Sequence, residues 1–454
     1  MTTLWFETAL LPQGWTSDVR VTLAADGTIA SVETGVACSA DDERHGAGMP
    51  GLPNLHSHAF QRAMAGLTER RGATRDSFWT WRDVMYRFAQ RIDPMILEAV
   101  AAMAFVEMLE SGFTRTGEFH YVHHRPDGLP YDDVAAMAVG LAGAARLTGI
   151  GLTLLPVFYA NAGFGGQPPS EGQRRFVSSL DGFARLLDAS DAAVGSLPDA
   201  IIGIAPHSLR AVTPDALRVL TQMRPAAPFH IHIAEQVREV EECIAWSGRR
   251  PVELLYDSVV VDDRWCLVHA THVLSSEVDA IVASRAVVGL CPVTEANLGD
   301  GIFPGDGFAA RGGRFGIGSD SNVAIDAAGE LRTLEYGQRL MLRERNVLAG
   351  TSGSTGRGMV NVVSAGGGQA LGVSTVGLIA GAGADIVSFA MTHPTMDGRT
   401  GDAILDSWVF AAGQGAIDCV WRRGRRVVSD GRHVAREQVV QHYKQALRPL
   451  QDGE

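Results

Sequence analysis

Eight short apolar runs, rich in β-branched and aromatic residues, recur along the middle of the chain: "GMPGLPNLHSH", "TRTGEFHYV", "IGLTLLPVFYA", "AIIGIAPHSL", "PFHIHIAE", "WCLVHATHV", "AVVGLCPVTE" and "RFGIGSDSN". Amphipathic segments of roughly ten to eighteen residues with helical spacing, such as "YDDVAAMAVGLAGAARLTG", separate them. Near-continuous apolar strands are buried on both faces and pair in parallel, and parallel neighbours need a helical crossover. Eight such units predict the α/β class and a (β/α)8 barrel. The flanks differ. The first 35 residues alternate apolar and polar positions around turns such as Asp26-Gly27, which reads as β-hairpins. The last ninety carry short runs, "GADIVSFA", "WVFAAG" and "IDCVWRRGRRVVSDGR", that read as strands. The two ends are therefore expected to pair as one small β-sandwich. Its N-terminal part would be residues 1–48 and its C-terminal part, with the tail, 366–454, around a barrel of 49–365. Segments 59–95 and 299–313 read as loops or added helices over the barrel mouth.

Bulk properties exclude several classes. A formal charge of −12 argues against a nucleic-acid partner, and the one basic run near Arg422 reads as a strand, a Gly turn and another strand. No stretch approaches eighteen uninterrupted apolar residues, and "MTTLWFETALLPQGW" lacks a basic start, so neither a membrane span nor a secretion signal is indicated. Five cysteines, odd in number, far apart and without C-x-x-C, fit a reduced, cytoplasmic protein.

The polar residues of the eight runs fall at their C-terminal ends, where a (β/α)8 barrel builds its active site. His56 and His58 sit at strand spacing, so both rings face one side. "FHIHIAE" offers His230 and His232, with Glu235 three beyond the latter; "LVHATH" offers His269 and His272; "GIGSDSN" ends in Asp320. Three imidazoles and a carboxylate suit Zn2+ or a similar cation, with room for a water whose pKa such an ion lowers to about 7.

That set resembles the amidohydrolase superfamily in its deaminase branch: H-x-H ends the first run, H-x-x-E the fifth, His follows the sixth and Asp the eighth. More narrowly, "PGLPNLHSHAFQRAMAGLTE", "HIHIAEQ", "LVHATH" and "GIGSDSN" resemble the formimidoylglutamate deiminases of histidine degradation. The resemblance covers essentially the whole chain. It implies that His56, His58, His232 and Asp320 hold the metal, with Glu235, His269 and Asp320 catalytic. His230 competes for the third ligand position, but only His232 has its Glu three residues on. His272 has no motif partner. The only lysine, Lys444, lies in the C-terminal tail, so the carbamylated barrel lysine that bridges two metals in many amidohydrolases has no counterpart. One metal ion per chain is expected; Glu118 in the second run is the remaining candidate bridge.

An acidic chain that binds a dianion needs local cations, and arginine's planar fork suits carboxylates. Arg82, in the aromatic-rich "SFWTWRDVMYRF", and Arg210, closing "APHSLRAVT", are the candidates. Arg82 could instead stack on Trp79 or Trp81, and Arg210 could pair with a carboxylate of the following helix. The resemblance gives Gln61, Arg82, Tyr121, His207 and Arg210 as residues that bind the amino-acid part of the substrate; His120, His123 and His124 read as loop histidines. It implies a small dicarboxylate amidine, N-formimidoyl-L-glutamate, as substrate, and a homodimer. Two rival readings stay open: a deaminase of the same branch acting on a nucleobase or nucleoside-like ring, and a non-catalytic metal-binding protein.

Overall fold

The computed structural model describes residues 2–71 and 76–451. Its apolar runs form parallel strands: Leu52–Ser57, Phe113–His120, Gly151–Phe158, the split pair Ile201–Ile202 and Ala205–Pro206, Phe229–Ile233, Trp265–His269, Val287–Leu290 and Arg314–Ile317. Seven parallel ladders join them in two arcs. Parallel bridges Ile204–Phe229 and Ser208–His232 close one gap and Ser57–Asp320 the other, giving the barrel. The fourth strand breaks at Gly203, where a Cβ would overlap the Leu155 side chain.

The helix Thr355–Ala370 seals the N-terminal end of the barrel. A Cβ on its Gly366 would overlap the Phe315 carbonyl, and one on Gly367 would overlap Pro53, so this helix reaches the strands because it lacks side chains there. Leu371 then packs with Leu55, Cys266, Val268 and Val287 in the floor of the barrel. Function is left to the opposite end.

Both chain ends enter one eight-stranded sheet, in the order Arg432–His433, Arg425–Ser429, Ile417–Arg422, Ile386–Phe389, Glu43–Pro50, Thr2–Leu11, Gly14–Leu23, Ile29–Glu33. Only the Glu43–Pro50 and Thr2–Leu11 neighbours run parallel. The sheet curls around its own core of Leu4, Phe6, Val19, Val21, Ile386 and Trp421. The first apolar run is thus divided: Gly48–Pro50 pair with Ile386–Phe389, whereas Leu52–Ser57 open the barrel.

One C-terminal expectation is corrected. "WVFAAG" is not a strand: Trp408–Ala412 continues the helix Ala403–Ser407, with Trp408 and Val409 fully buried. A short apolar run has no period that separates a strand from a buried helix. The tail is a helix, Arg436–Gln451, whose Tyr443, Leu447 and Leu450 pack on Val100 of the helix Pro94–Glu110. Segment 59–95 folds as a 3-10 turn at Ala59–Met64 and a helix at Phe78–Ala89, its residues 72–75 lying outside the described ones. Segment 299–313 contains the short helix Gly305–Ala310. No helix among the described residues is long and apolar enough to cross a membrane.

Candidate active site

Strand ends place four ligand atoms around one point. His56 Nε2 lies 3.2 Å from His58 Nε2, 3.0 Å from His232 Nε2 and 3.5 Å from Asp320 Oδ1, which is 3.3 Å from His58 Nε2. A tetrahedral ion with bonds near 2.1 Å spaces its ligands about 3.4 Å apart, so the set fits a divalent cation of zinc's size. The other ring nitrogens agree. His58 Nδ1–H donates to the Phe119 carbonyl at 2.8 Å and His232 Nδ1–H to that of His207 at 3.0 Å. Both bonds fix the tautomer that leaves Nε2 a bare donor towards the ion. Burial drives His56 down to about 3 and lowers His58 and His232, so all three are neutral. Burial works against the Asp320 carboxylate, but the surrounding histidines hold it well below the usual range.

His230 stays out of the cluster. It lies one layer deeper, where Nε2–H donates to the Ala370 carbonyl at 2.7 Å. His272 donates to the Asp300 carbonyl at 2.9 Å. His123 and His124 bond backbone carbonyls of Val157 and Val177. His120 is not a loop residue; it closes the second strand, buried against His123. Glu118 accepts from the Ala59 N–H at 2.7 Å rather than entering the cluster.

Beside the cluster, His269 Nε2 lies 3.9 Å from both Glu235 Oε1 and Asp320 Oδ2. Burial raises Glu235 to about 7, although His269 and Arg210 pull the other way. Burial disfavours the His269 imidazolium, yet Glu235, Glu295 and Asp320 outweigh it and raise the group to about 10. Ala234, His269, Ala270 and Asp320 all have positive φ, 49°, 68°, 48° and 44°. Four non-glycine residues in that region, at the ends of the fifth, sixth and eighth strands, mark backbone held under strain to aim side chains inward. Cross-strand bonds hold it: Asp320 N–H donates to the His56 carbonyl at 3.0 Å and Ala270 N–H to that of Ile233 at 3.0 Å.

The residues expected to bind substrate line one cavity with His58, His232, Glu235, His269 and Asp320. Gln61 donates to the Tyr121 hydroxyl at 3.0 Å, and the Tyr121 and His207 rings meet at 5.7 Å. Arg82 does stack on Trp79, at 4.6 Å, while also facing the cavity. Arg210 lies 3.9 Å from Glu235 and 4.0 Å from Glu239. The Nε atoms of both arginines are buried without a hydrogen-bond partner.

Sequence reasoning missed three supports. Glu295 Oε1 accepts from His269 Nδ1–H at 3.2 Å and from the Cys291 N–H at 2.9 Å. Glu239 accepts from the Glu235 N–H at 3.0 Å. Asn54, Ser319 and Asn322 form a chain that fixes the Asp320 turn: Asn54 donates to Ser319 at 2.7 Å, Ser319 to Asn322 at 2.6 Å, and Asn322 to the Asp320 carbonyl at 3.0 Å. The last was signalled by the polar residues of "GSDSN"; the first two had no motif.

Residues 48–427 match the model of the amidohydrolase family, and residues 1–46 match that of the formimidoylglutamate deiminase HutF N-terminal domain. The chain is 48% identical to a formimidoylglutamate deiminase of Pseudomonas aeruginosa over 453 residues, covering 100% of each. A crystal structure of an amidohydrolase from Brucella melitensis superposes with a TM-score of 0.96 at 52% identity, over 99% of this chain and 100% of that one. A zinc-bound adenosine deaminase from Xanthomonas campestris shares the fold alone, with a TM-score of 0.81 at 20% identity over 99% and 98% of the two chains. Motifs, barrel and full-length similarity agree: the chain belongs to the amidohydrolase family and opens with the N-terminal domain of its formimidoylglutamate deiminases.

Proposed function

We propose that this protein hydrolyses N-formimidoyl-L-glutamate to N-formyl-L-glutamate and ammonia, a step of histidine degradation. The observation that carries the reading is one cavity with the His56–His58–His232–Asp320 cluster at one end and the Arg82 and Arg210 guanidiniums facing in. Full-length similarity to the Pseudomonas enzyme supports the substrate. His56, His58, His232 and Asp320 would hold one divalent ion in the barrel, with Zn2+ the ion their donor set suits. Bound there, it supplies Lewis-acid activation of water at neutral pH.

The chain's own groups do the rest. Asp320 takes the proton from the attacking water. His269 stabilises charge developing on the oxygen added to the amidine carbon. Glu235, poised near neutrality, passes a proton to the nitrogen that leaves as ammonia. Arg82 and Arg210 pair the two carboxylates, with Gln61, Tyr121 and His207 placing the amino-acid backbone. We further propose a cytoplasmic homodimer, and the division into a barrel of 49–365 and a sandwich of 1–48 with 366–454.

Ammonia release from N-formimidoyl-L-glutamate, its aspartate analogue and a panel of nucleobases tests the substrate; turnover of a nucleobase in preference to the amidines would overturn it. Removing one partner of a buried charged pair costs about 2–5 kcal/mol, so Arg82→Met and Arg210→Met should each lower kcat/KM at least roughly thirtyfold with metal retained. His232→Ala should lose the barrel ion, and an exchange-coupled spectrum from manganese-loaded enzyme would refute a mononuclear centre.

A further inference from the structure

The terminal sheet contains a second cluster of ligand-type side chains, far in sequence from the barrel motifs. Its basis is an irregularity in the ladder. Adjacent residues of a strand face opposite sides of a sheet, so Asp418 and Cys419 should be separated by it. Here Val387 opposes Val420 and Phe389 opposes Ile417, leaving Ser388 alone against both residues. This is a β-bulge, a device that re-aims side chains. The Ser388 hydroxyl fills the gap, accepting from the Cys419 N–H at 3.0 Å and donating to Asp418 Oδ2 at 3.2 Å. The bulge turns both side chains towards His45, and ligand atoms of the three lie within 4.8 Å of one another.

His45 is held as a metal-ligating histidine is held. Its ring sits edge-on to Trp421 at 4.8 Å and tilted against Phe6 at 5.6 Å. Nε2–H donates to Glu43 at 3.0 Å, and Arg426 anchors that carboxylate at 2.6 Å. Nδ1 is thereby left bare. It faces Asp418 Oδ2 at 3.7 Å, beyond hydrogen-bond reach. An imidazole with a carboxylate behind one nitrogen and thiol and carboxylate before the other is the outer-shell pattern of metal centres. His45 and Cys419 are buried, while the Asp418 side chain is 29% exposed and gives a cation a route in and a place for water.

We propose that His45, Asp418 and Cys419 form a second metal site, for a thiophilic divalent cation such as Zn2+, that ties the N-terminal and C-terminal parts of the sheet together. Burial first, and the Asp418 charge next, push the Cys419 thiol up to about 11. A bound cation reverses both effects, with the thiol proton released to solvent. A clip between segments so distant in sequence closes a long loop and stabilises the folded chain. Another set, His269, Cys291 and Glu295, belongs to the site already described, and its His and Glu already bond each other.

Cobalt titration of the full-length protein tests the proposal, because thiolate ligation gives a near-ultraviolet charge-transfer band and the four barrel ligands include no cysteine. The band should saturate at one thiolate-bound cobalt per chain. It should persist in His232→Ala and vanish in Cys419→Ser and His45→Gln, with hydrolytic turnover of those two kept. Melting curves in chelator, matching wild type, show that the variants fold. Absence of the band at cobalt levels that fill the barrel centre would overturn the site. So would a band surviving Cys419→Ser, which would assign it to one of the other four cysteines.

Discussion

Glu295 touches neither the metal cluster nor the cavity, yet it holds the His269 ring in its orientation and favours its charged form. Its carboxylate fixes Nδ1–H, so Nε2 faces Glu235 and Asp320. Glu295→Gln keeps an acceptor but removes the charge, and turnover should fall about tenfold with KM and metal content unchanged. Glu235→Gln should cost roughly a hundredfold or more, as loss of a proton shuttle does. Steady-state kinetics with metal analysis rank the two; equal, small effects would remove both from the mechanism. Glu118 makes a different prediction. Burial raises it to about 8 from the ordinary 4.5, against the pull of the Ala59 N–H and Ser57. A carboxyl raised on folding contributes stability that is full below about 4.5 and lost as pH climbs through 8. In chelated protein, Glu118→Gln should therefore match wild type near pH 4.5 and melt higher near pH 8; parallel melting–pH curves would refute it. The positions of His56, His58, His232, Glu235, His269 and Asp320 were legible because each closes one of the eight apolar runs whose composition and spacing named them strands. Glu295 was not, because its bond to His269 spans 26 residues and depends on tertiary packing alone.

Among the elements, the barrel strands were legible and the devices that modify them were not. Period and composition mark a strand, whereas the break at Gly203 and the bulge at Asp418–Cys419 arise from what the neighbouring backbone allows. "WVFAAG" shows the converse, since apolar content without period let burial choose a helical turn. The helix Thr355–Ala370 gives the sharpest test at this scale. Gly366→Ala would set a methyl group into the Phe315 carbonyl, and overpacking of that kind costs about 1–3 kcal/mol. Thermal melts should show the loss, whereas Gly312→Ala, with open space but a φ of +75°, should show only the smaller cost of left-handed backbone. Equal losses would mean that the helix does not seat on the barrel floor as described.

For the whole molecule, the metal cluster joins the first, fifth and eighth strands, including the Ser57–Asp320 bridge that closes the ring. A cation held there binds the folded chain alone and adds about 4 kcal/mol at a free concentration a thousandfold above Kd. Chelation should lower the melting temperature by several degrees, and zinc should restore it; His232→Ala should melt at one temperature with or without chelator, apart from any shift that Cys419→Ser removes. The terminal sheet has a consequence in time. Glu43–Pro50 leaves the ribosome early, but its antiparallel partner Ile386–Phe389 follows only after every barrel strand has been made. At roughly 5–20 residues per second, that strand waits tens of seconds with one edge bare. Nascent chains are thus most open to aggregation before their last strands emerge, and whatever shields the N-terminal hairpins during synthesis sets the yield of enzyme.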